Sequence, residues 1–169
     1  MKKSLLALLL CGPSLAYGAQ NPRHSDMTQV EAKIALRELV DRFSLLADRK
    51  ETLKQTELFT ENAVVESHAN GSVSTLTGRK AIGDAFGGFL ANFATVYHLN
   101  GQHVVSVKGN TATGELYCLV YLFSVENGKK WKTNFGVRYN DEYTLVNDTW
   151  LISKRTSFFE WQTREEVTQ

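Results

Sequence analysis

From Thr28 onward, apolar residues recur at helical spacing. Val30, Ile34, Val40, Phe43 and Ala47 fall near one face, and Leu36, Leu39 and Leu46 widen it. Glu31, Lys33, Glu38, Asp41 and Arg42 occupy much of the remaining surface, as on an amphipathic helix laid against a core. Glu51–Phe59 reads as a second, short helix. Ala63–Ala69 reads as a strand, closed by the turn Ala-Asn-Gly-Ser. A third helix covers Gly78–Phe93, with Ile82, Phe86, Phe89 and Phe93 three and four residues apart. Its glycines, Gly83, Gly87 and Gly88, each cost a helix about 1 kcal/mol relative to Ala, and are expected to permit close approach to a sheet.

After Phe93 the pattern changes to long strands. Thr95–Val107 leads through Lys-Gly-Asn into Thr111–Val125, and Asn127–Gly128 is a two-residue hairpin signal. Lys130–Val146 and Trp150–Trp161 follow, separated by Asn147–Asp148. Long strands joined by tight turns predict an antiparallel meander. Helices first and strands after predict an α+β domain, in which a bent sheet wraps the helices.

Composition adds a processing segment to this picture. Lys2 and Lys3, the apolar run Leu5–Leu10 and the small residues around Ala16-Tyr17-Gly18 have the layout of a secretory signal peptide, too short to span a bilayer. The expected product is exported, periplasmic or secreted, with a polar leader over residues 19–27, a domain over 28–162 and a short tail over 163–169. Lipid anchoring through Cys11 is disfavoured, because Leu10 is not the small residue that such a site prefers. Cleavage after Gly18 removes two lysines and shifts the formal charge from +1 to −1. No basic block survives, which argues against nucleic acid as a partner. Cys118 is then the only cysteine, so the domain must be stabilised by its core, for which about 150 residues suffice.

The order of segments resembles the SnoaL-like branch of the nuclear-transport-factor-two-like superfamily. The matching stretches are IALRELVDRFSLLADRKE, ELFTENAVVE, TGRKAI, YHLNGQHVVSVKGNTATGELY, GVRYNDEY and TWLISKRTSFFEW, together covering roughly Gln29–Trp161. The resemblance implies a cone-shaped α+β fold, a curved antiparallel sheet around about three N-terminal helices, with an apolar pocket. It also implies the superfamily's range of functions: cofactor-free lyases and isomerases, and pocketed proteins with no turnover. Fold alone does not choose among these. By analogy with the superfamily, a homodimer or homotrimer is expected.

His98 matches the histidine that dehydratase-like members use as general base. Imidazole, with an unperturbed pKa near 6.5, is suited to take a proton beside a carbonyl; the alternative is a histidine satisfying a core carbonyl. Asp48 matches the family's acidic residue at the end of the first helix and is expected to orient an imidazole or touch substrate. It also reads as an N-cap of the second helix, with Glu51 completing a capping box. Five residues before it, where dehydratase-like members tend to carry Tyr, stands Phe43. Where they tend to place a second His or an Asp, this chain has Tyr121 and Phe123. All three are expected at the pocket. Strand alternation puts Tyr139, Asp141 and Tyr143 on one side; Tyr139 and Asp141 line the pocket mouth or form a solvated cross-strand pair. Arg155 lies either near the ligand or in a surface ion pair. His103, five positions after His98, is expected on the opposite face or at a subunit contact, an assignment that a bulge at Asn100–Gly101 would change, and His68 in an exposed position.

Other chemistries lack their residues. There is no G-x-S-x-G elbow, no phosphate loop, and no His pair at metal-ligand spacing. Cys118 in an apolar strand reads as a buried thiol. The expected ligand is a small apolar molecule, with no cofactor and no metal, and no membrane insertion once the signal is removed. The leading expectation is general acid–base chemistry by His98 and Asp48 on a polyketide-, steroid- or aromatic-type carbonyl compound. The alternative is a non-catalytic binding or interaction module.

Overall fold

The computed structural model describes residues 27–167; the expected signal peptide, Cys11 and most of the expected polar leader lie outside them. Three helices, α1 (Gln29–Asp48), α2 (Thr52–Thr56) and α3 (Arg79–Leu90), pack on a six-stranded curved, unclosed sheet. The strands are β1 (Phe59–Ala69), β2 (Ser72–Thr77), β3 (Thr95–Lys108), β4 (Thr111–Glu126), β5 (Lys129–Val146) and β6 (Thr149–Glu166). Their order across the sheet is β2-β1-β6-β5-β4-β3. β3 to β6 form the expected meander, while β1 pairs parallel to β6, so the sheet is mixed.

Local chemistry sets the boundaries. Thr28 accepts from the Glu31 N–H at 3.2 Å and Glu31 accepts in return from the Thr28 N–H at 2.8 Å, a capping box that opens α1. Lys50, at φ 57, turns the chain out of α1. Asn70–Gly71, Asn127–Gly128 and Asn147–Asp148 all have positive φ at both positions, the conformation that matches a tight hairpin to strand twist.

Several sequence expectations shift. The buried row of α1 is Ala32, Leu36, Leu39, Val40, Phe43 and Ala47, while Val30 and Ile34 are 67% and 56% exposed. At 100° per residue, Val30 and Ile34 share the row of Arg37 and Asp41 rather than that of Leu36. Phe59 is the first residue of β1 rather than the end of a helix. The edge strand β2, sequence SVSTLT, is mostly exposed and carries no apolar alternation to announce it. Residues 163–166 continue β6 and pair with Trp131–Asn134 of β5, so strand extends into the expected tail. The glycines of α3 accommodate α2, not the sheet: a Cβ on Gly83 would lie 2.9 Å from the Thr56 methyl and one on Gly87 3.4 Å from Thr52 Oγ1, while Gly88 faces open space.

The core lies between the concave face of the sheet and α1. Phe43, Phe59 and Phe86 meet edge to face with centroids 5.9–6.3 Å apart, a preferred aromatic arrangement. Among the described residues, no helix is long and apolar enough to cross a membrane.

Candidate active site

A cavity of about 120 Å³ remains inside the cone. Its wall is largely apolar: Phe43 and Ala47 from α1, Phe86, Phe89 and Leu90 from α3, and Val65, Val120, Leu122, Phe135 and Phe159 from the sheet. The polar groups on it are His98, Gln55, Ser67, Tyr139, Arg155 and Ser157.

His98 and Asp48 meet at this wall. His98 Nδ1 lies 2.7 Å from Asp48 Oδ1, with the side chains 9% and 18% exposed. The polar break in β3 explains why residues fifty apart coincide. Asn100 donates to the Val40 carbonyl at 3.1 Å and to Asp41 Oδ1 at 2.9 Å, and accepts from Ser44 Oγ at 3.0 Å. Arg37 donates to the Gly101 carbonyl at 2.8 Å. Asn100–Gly101 is thus the dock for α1. One helical turn beyond Ser44 is Asp48, a rise of about 6 Å; two strand residues back from Asn100 is His98, about 6.6 Å. The Ser44–Asn100 contact therefore carries Asp48 alongside His98. This use of the carboxylate replaces the capping one: Asp48 is the last residue of α1, and α2 has Glu51 at its N-cap position with no side-chain cap bond.

A second polar system is buried beside the first. Arg155 and Asp141, 1% and 0% exposed, pair through Nε–Oδ1 at 2.8 Å and Nη2–Oδ2 at 2.6 Å. Tyr143 donates its hydroxyl to Asp141 Oδ2 at 2.9 Å, so its oxygen is free to accept from His103 Nε2, 3.1 Å away. The guanidinium lies between the rings of Phe43 and Tyr139, 4.2 and 4.4 Å from their centroids. Burial favours losing the Arg155 proton, but Asp141 more than offsets this and keeps the group charged. Burial raises the Tyr139 and Tyr143 hydroxyls above their ordinary range and lowers His103, which Arg37 and Arg155 push the same way. Nη1 of Arg155 is buried without a partner and belongs to a residue on the cavity wall.

The profile of a SnoaL-like domain matches residues 28–156. The chain belongs to this family. Solved structures with the same fold include a proposed scytalone dehydratase from Novosphingobium aromaticivorans DSM 12444, with TM-score 0.71 and 19% identity over 82% of this chain and 91% of that one. A type 2 hexachlorocyclohexane dehydrochlorinase, LinA, superimposes with TM-score 0.70 and 16% identity, covering 85% and 94%. An NTF2-like protein with a cystatin-like fold, also from N. aromaticivorans, gives TM-score 0.64 and 23% identity, covering 78% and 83%. At these identities the likeness establishes the fold. No curated protein matches the sequence.

The SnoaL-like cone brings His98, Phe43, Tyr139 and Arg155 together on the cavity wall, with Asp48 behind the wall in contact with His98. Asp141 stands behind the wall and holds Arg155, so neither the solvated pair nor the surface ion pair is formed. Tyr121 and Phe123 are corrected: Val120 and Leu122 face the cavity, and alternation sends their odd-numbered neighbours to the outer face, where Tyr121 packs 6.2 Å from Tyr97. His103 is corrected too. Gly101 and Gln102 together oppose Tyr117, a bulge between Asn100↔Cys118 and His103↔Leu116 that restores His103 to the inner face. His68 is half-exposed, stacked on Phe158 at 4.7 Å. Burial pushes the Cys118 thiol up to about 12. Gln55 gave no sequence signal, lying in a short polar helix without apolar period, yet it is buried at the cavity. Among the described residues no cluster of His, Cys, Asp or Glu has metal-binding geometry.

Proposed function

We propose that the protein is a cofactor-free lyase or isomerase that moves a proton beside a carbonyl group, with His98 as the base. The observation that carries this is the His98–Asp48 pair at the wall of an apolar cavity. Asp48 accepts a hydrogen bond from Nδ1–H, which fixes the tautomer and leaves the Nε2 lone pair as the basic site. His98 takes the proton from the carbon next to the carbonyl. The electron pair passes to the carbonyl oxygen, which Arg155 Nη1 stabilises as an enolate. The imidazolium then returns the proton, either to a departing hydroxyl, giving an alkene and water, or to another carbon, giving an isomer. The cavity is close in size to the engineered 150 Å³ cavity that holds benzene and below the usual 300–1,000 Å³ of ligand sites. A single-ring carbonyl compound suits it better than a steroid or fused polyketide.

The test is exchange of the α-protons of acetophenone in D2O, followed by NMR. The wild type is expected to accelerate exchange, and His98→Ala to lower the rate about 10²–10⁴-fold with the fold retained by circular dichroism. Equal rates in the two proteins would reject the base role.

One observation favours a second reading, a carrier of small apolar ligands. The inward residues of β4 are Leu116, Cys118, Val120 and Leu122, and Phe43 has no hydroxyl, so His98 has no second polar partner on those walls. A bound apolar molecule that survives purification and incubation unchanged supports the carrier; conversion of that molecule supports the enzyme.

A further inference from the structure

Three buried side-chain polar atoms among the described residues have no hydrogen-bond partner: Gln55 Oε1, Arg155 Nη1 and Asn134 Oδ1. Two of the three, Gln55 Oε1 and Arg155 Nη1, belong to residues that line the cavity. They are of opposite sense, since Nη1 can only donate and Oε1 can only accept. Each is held in place by its own anchors. Arg155 is fixed by the Asp141 fork and the two aromatic rings. Gln55, 1% exposed, donates Nε2 to the Phe43 carbonyl at 3.2 Å. Turning the amide over would face its oxygen to that carbonyl, so Oε1 is the atom left free. Phe43 thus braces both groups, Gln55 through its backbone and Arg155 through its ring. A buried acceptor without a partner is costly, and an apolar side chain would line the same wall without that cost.

We propose that the cavity takes a ligand carrying an O–H or N–H donor as well as a carbonyl acceptor, the carbonyl bound by Arg155 Nη1 and the donor read by Gln55 Oε1. The ligand class is a hydroxy ketone or phenolic ketone of single-ring size. This rests on the cavity being the ligand site, and makes Gln55 its specificity-determining residue. A site built to bond a hydroxyl rejects the analogue that lacks it, because its own buried group is left unpaired.

The test is calorimetric titration of the protein with the three hydroxyacetophenones and the matching methylacetophenones. Each pair shares ring and carbonyl and differs only in donor against methyl. One hydroxy isomer is expected to bind about ten- to a hundredfold tighter than its methyl counterpart. Gln55→Leu is expected to erase that preference, so that the hydroxy isomer binds no tighter than its methyl counterpart. Equal binding of every pair to the wild type overturns the proposal while leaving the cavity as a ligand site, and this comparison needs no variant to fold. If no acetophenone binds, the proposal and the cavity reading fall together. If α-proton exchange persists without hydroxyl preference, the Gln55 proposal alone fails.

Discussion

Removing the Asp141 carboxylate tests whether the buried pair is what holds Arg155 on the cavity. Its two oxygens accept three bonds of 2.6–2.9 Å, two from Arg155 and one from Tyr143. In Asp141→Ala the guanidinium, 1% exposed in the wild type, loses its counter-charge and both of its acceptors. Breaking a buried pair by removing one partner costs about 3–5 kcal/mol. The Phe43 and Tyr139 faces still stabilise the cation, each by about 0.5–2 kcal/mol, which puts the expected loss near the lower end, about 3 kcal/mol. With a urea m-value of about 2 kcal/mol/M, the unfolding midpoint falls by about 1.5 M. The companion variant, Asp141→Leu with Arg155→Met, removes both charges at similar volume and is expected to be neutral or stabilising. It should also lose α-proton exchange, because no cation then faces the enolate. A midpoint shift below about 0.5 M in the single variant, or equal destabilisation of single and double variants, refutes the reasoning.

Acid sensitivity should trace in part to His103. Burial holds its native pKa below the ordinary value, with Arg37 and Arg155 adding to this and Asp41 and Asp141 opposing it. The neutral ring is therefore the one the fold favours: this contribution is fully present above about pH 6.5 and is lost as pH falls toward the lowered native value. Urea midpoints at pH 7.5 and 5.0 are expected to differ less in His103→Gln than in the wild type; an unchanged difference defeats the assignment. Cys118, buried and with its thiol at about 12, should resist a thiol reagent at pH 8 in the native protein and react once urea unfolds it. Rapid native labelling would show that β4 opens locally.

The parts legible in the sequence are those governed by neighbours along the chain. Helical spacing marked α1 and α3. Asn-Gly and Asn-Asp pairs marked the hairpins, because few residues accept positive φ twice in succession. Strand alternation put Tyr139, Asp141 and Tyr143 on one side, and they are buried together. Resemblance pointed to His98 and Asp48, and they lie in contact.

Tertiary structure decided what depends on parity and depth. A two-against-one bulge at Gly101–Gln102 turned His103 inward, and the register of β4 turned Tyr121 and Phe123 outward. Period-two alternation cannot say which of its two faces meets the core. Nor does composition distinguish a surface arginine from Arg155, whose burial depends on a carboxylate fourteen residues away on the adjacent strand. Gln55 is the clearest case. Nothing in Thr-Leu-Lys-Gln-Thr marks it, and only the meeting of α2 with Phe43 buries this side chain among the residues lining the cavity with its amide oxygen unpaired. Local propensities come from a few adjacent residues, whereas a binding site is assembled from contacts between elements distant in the chain.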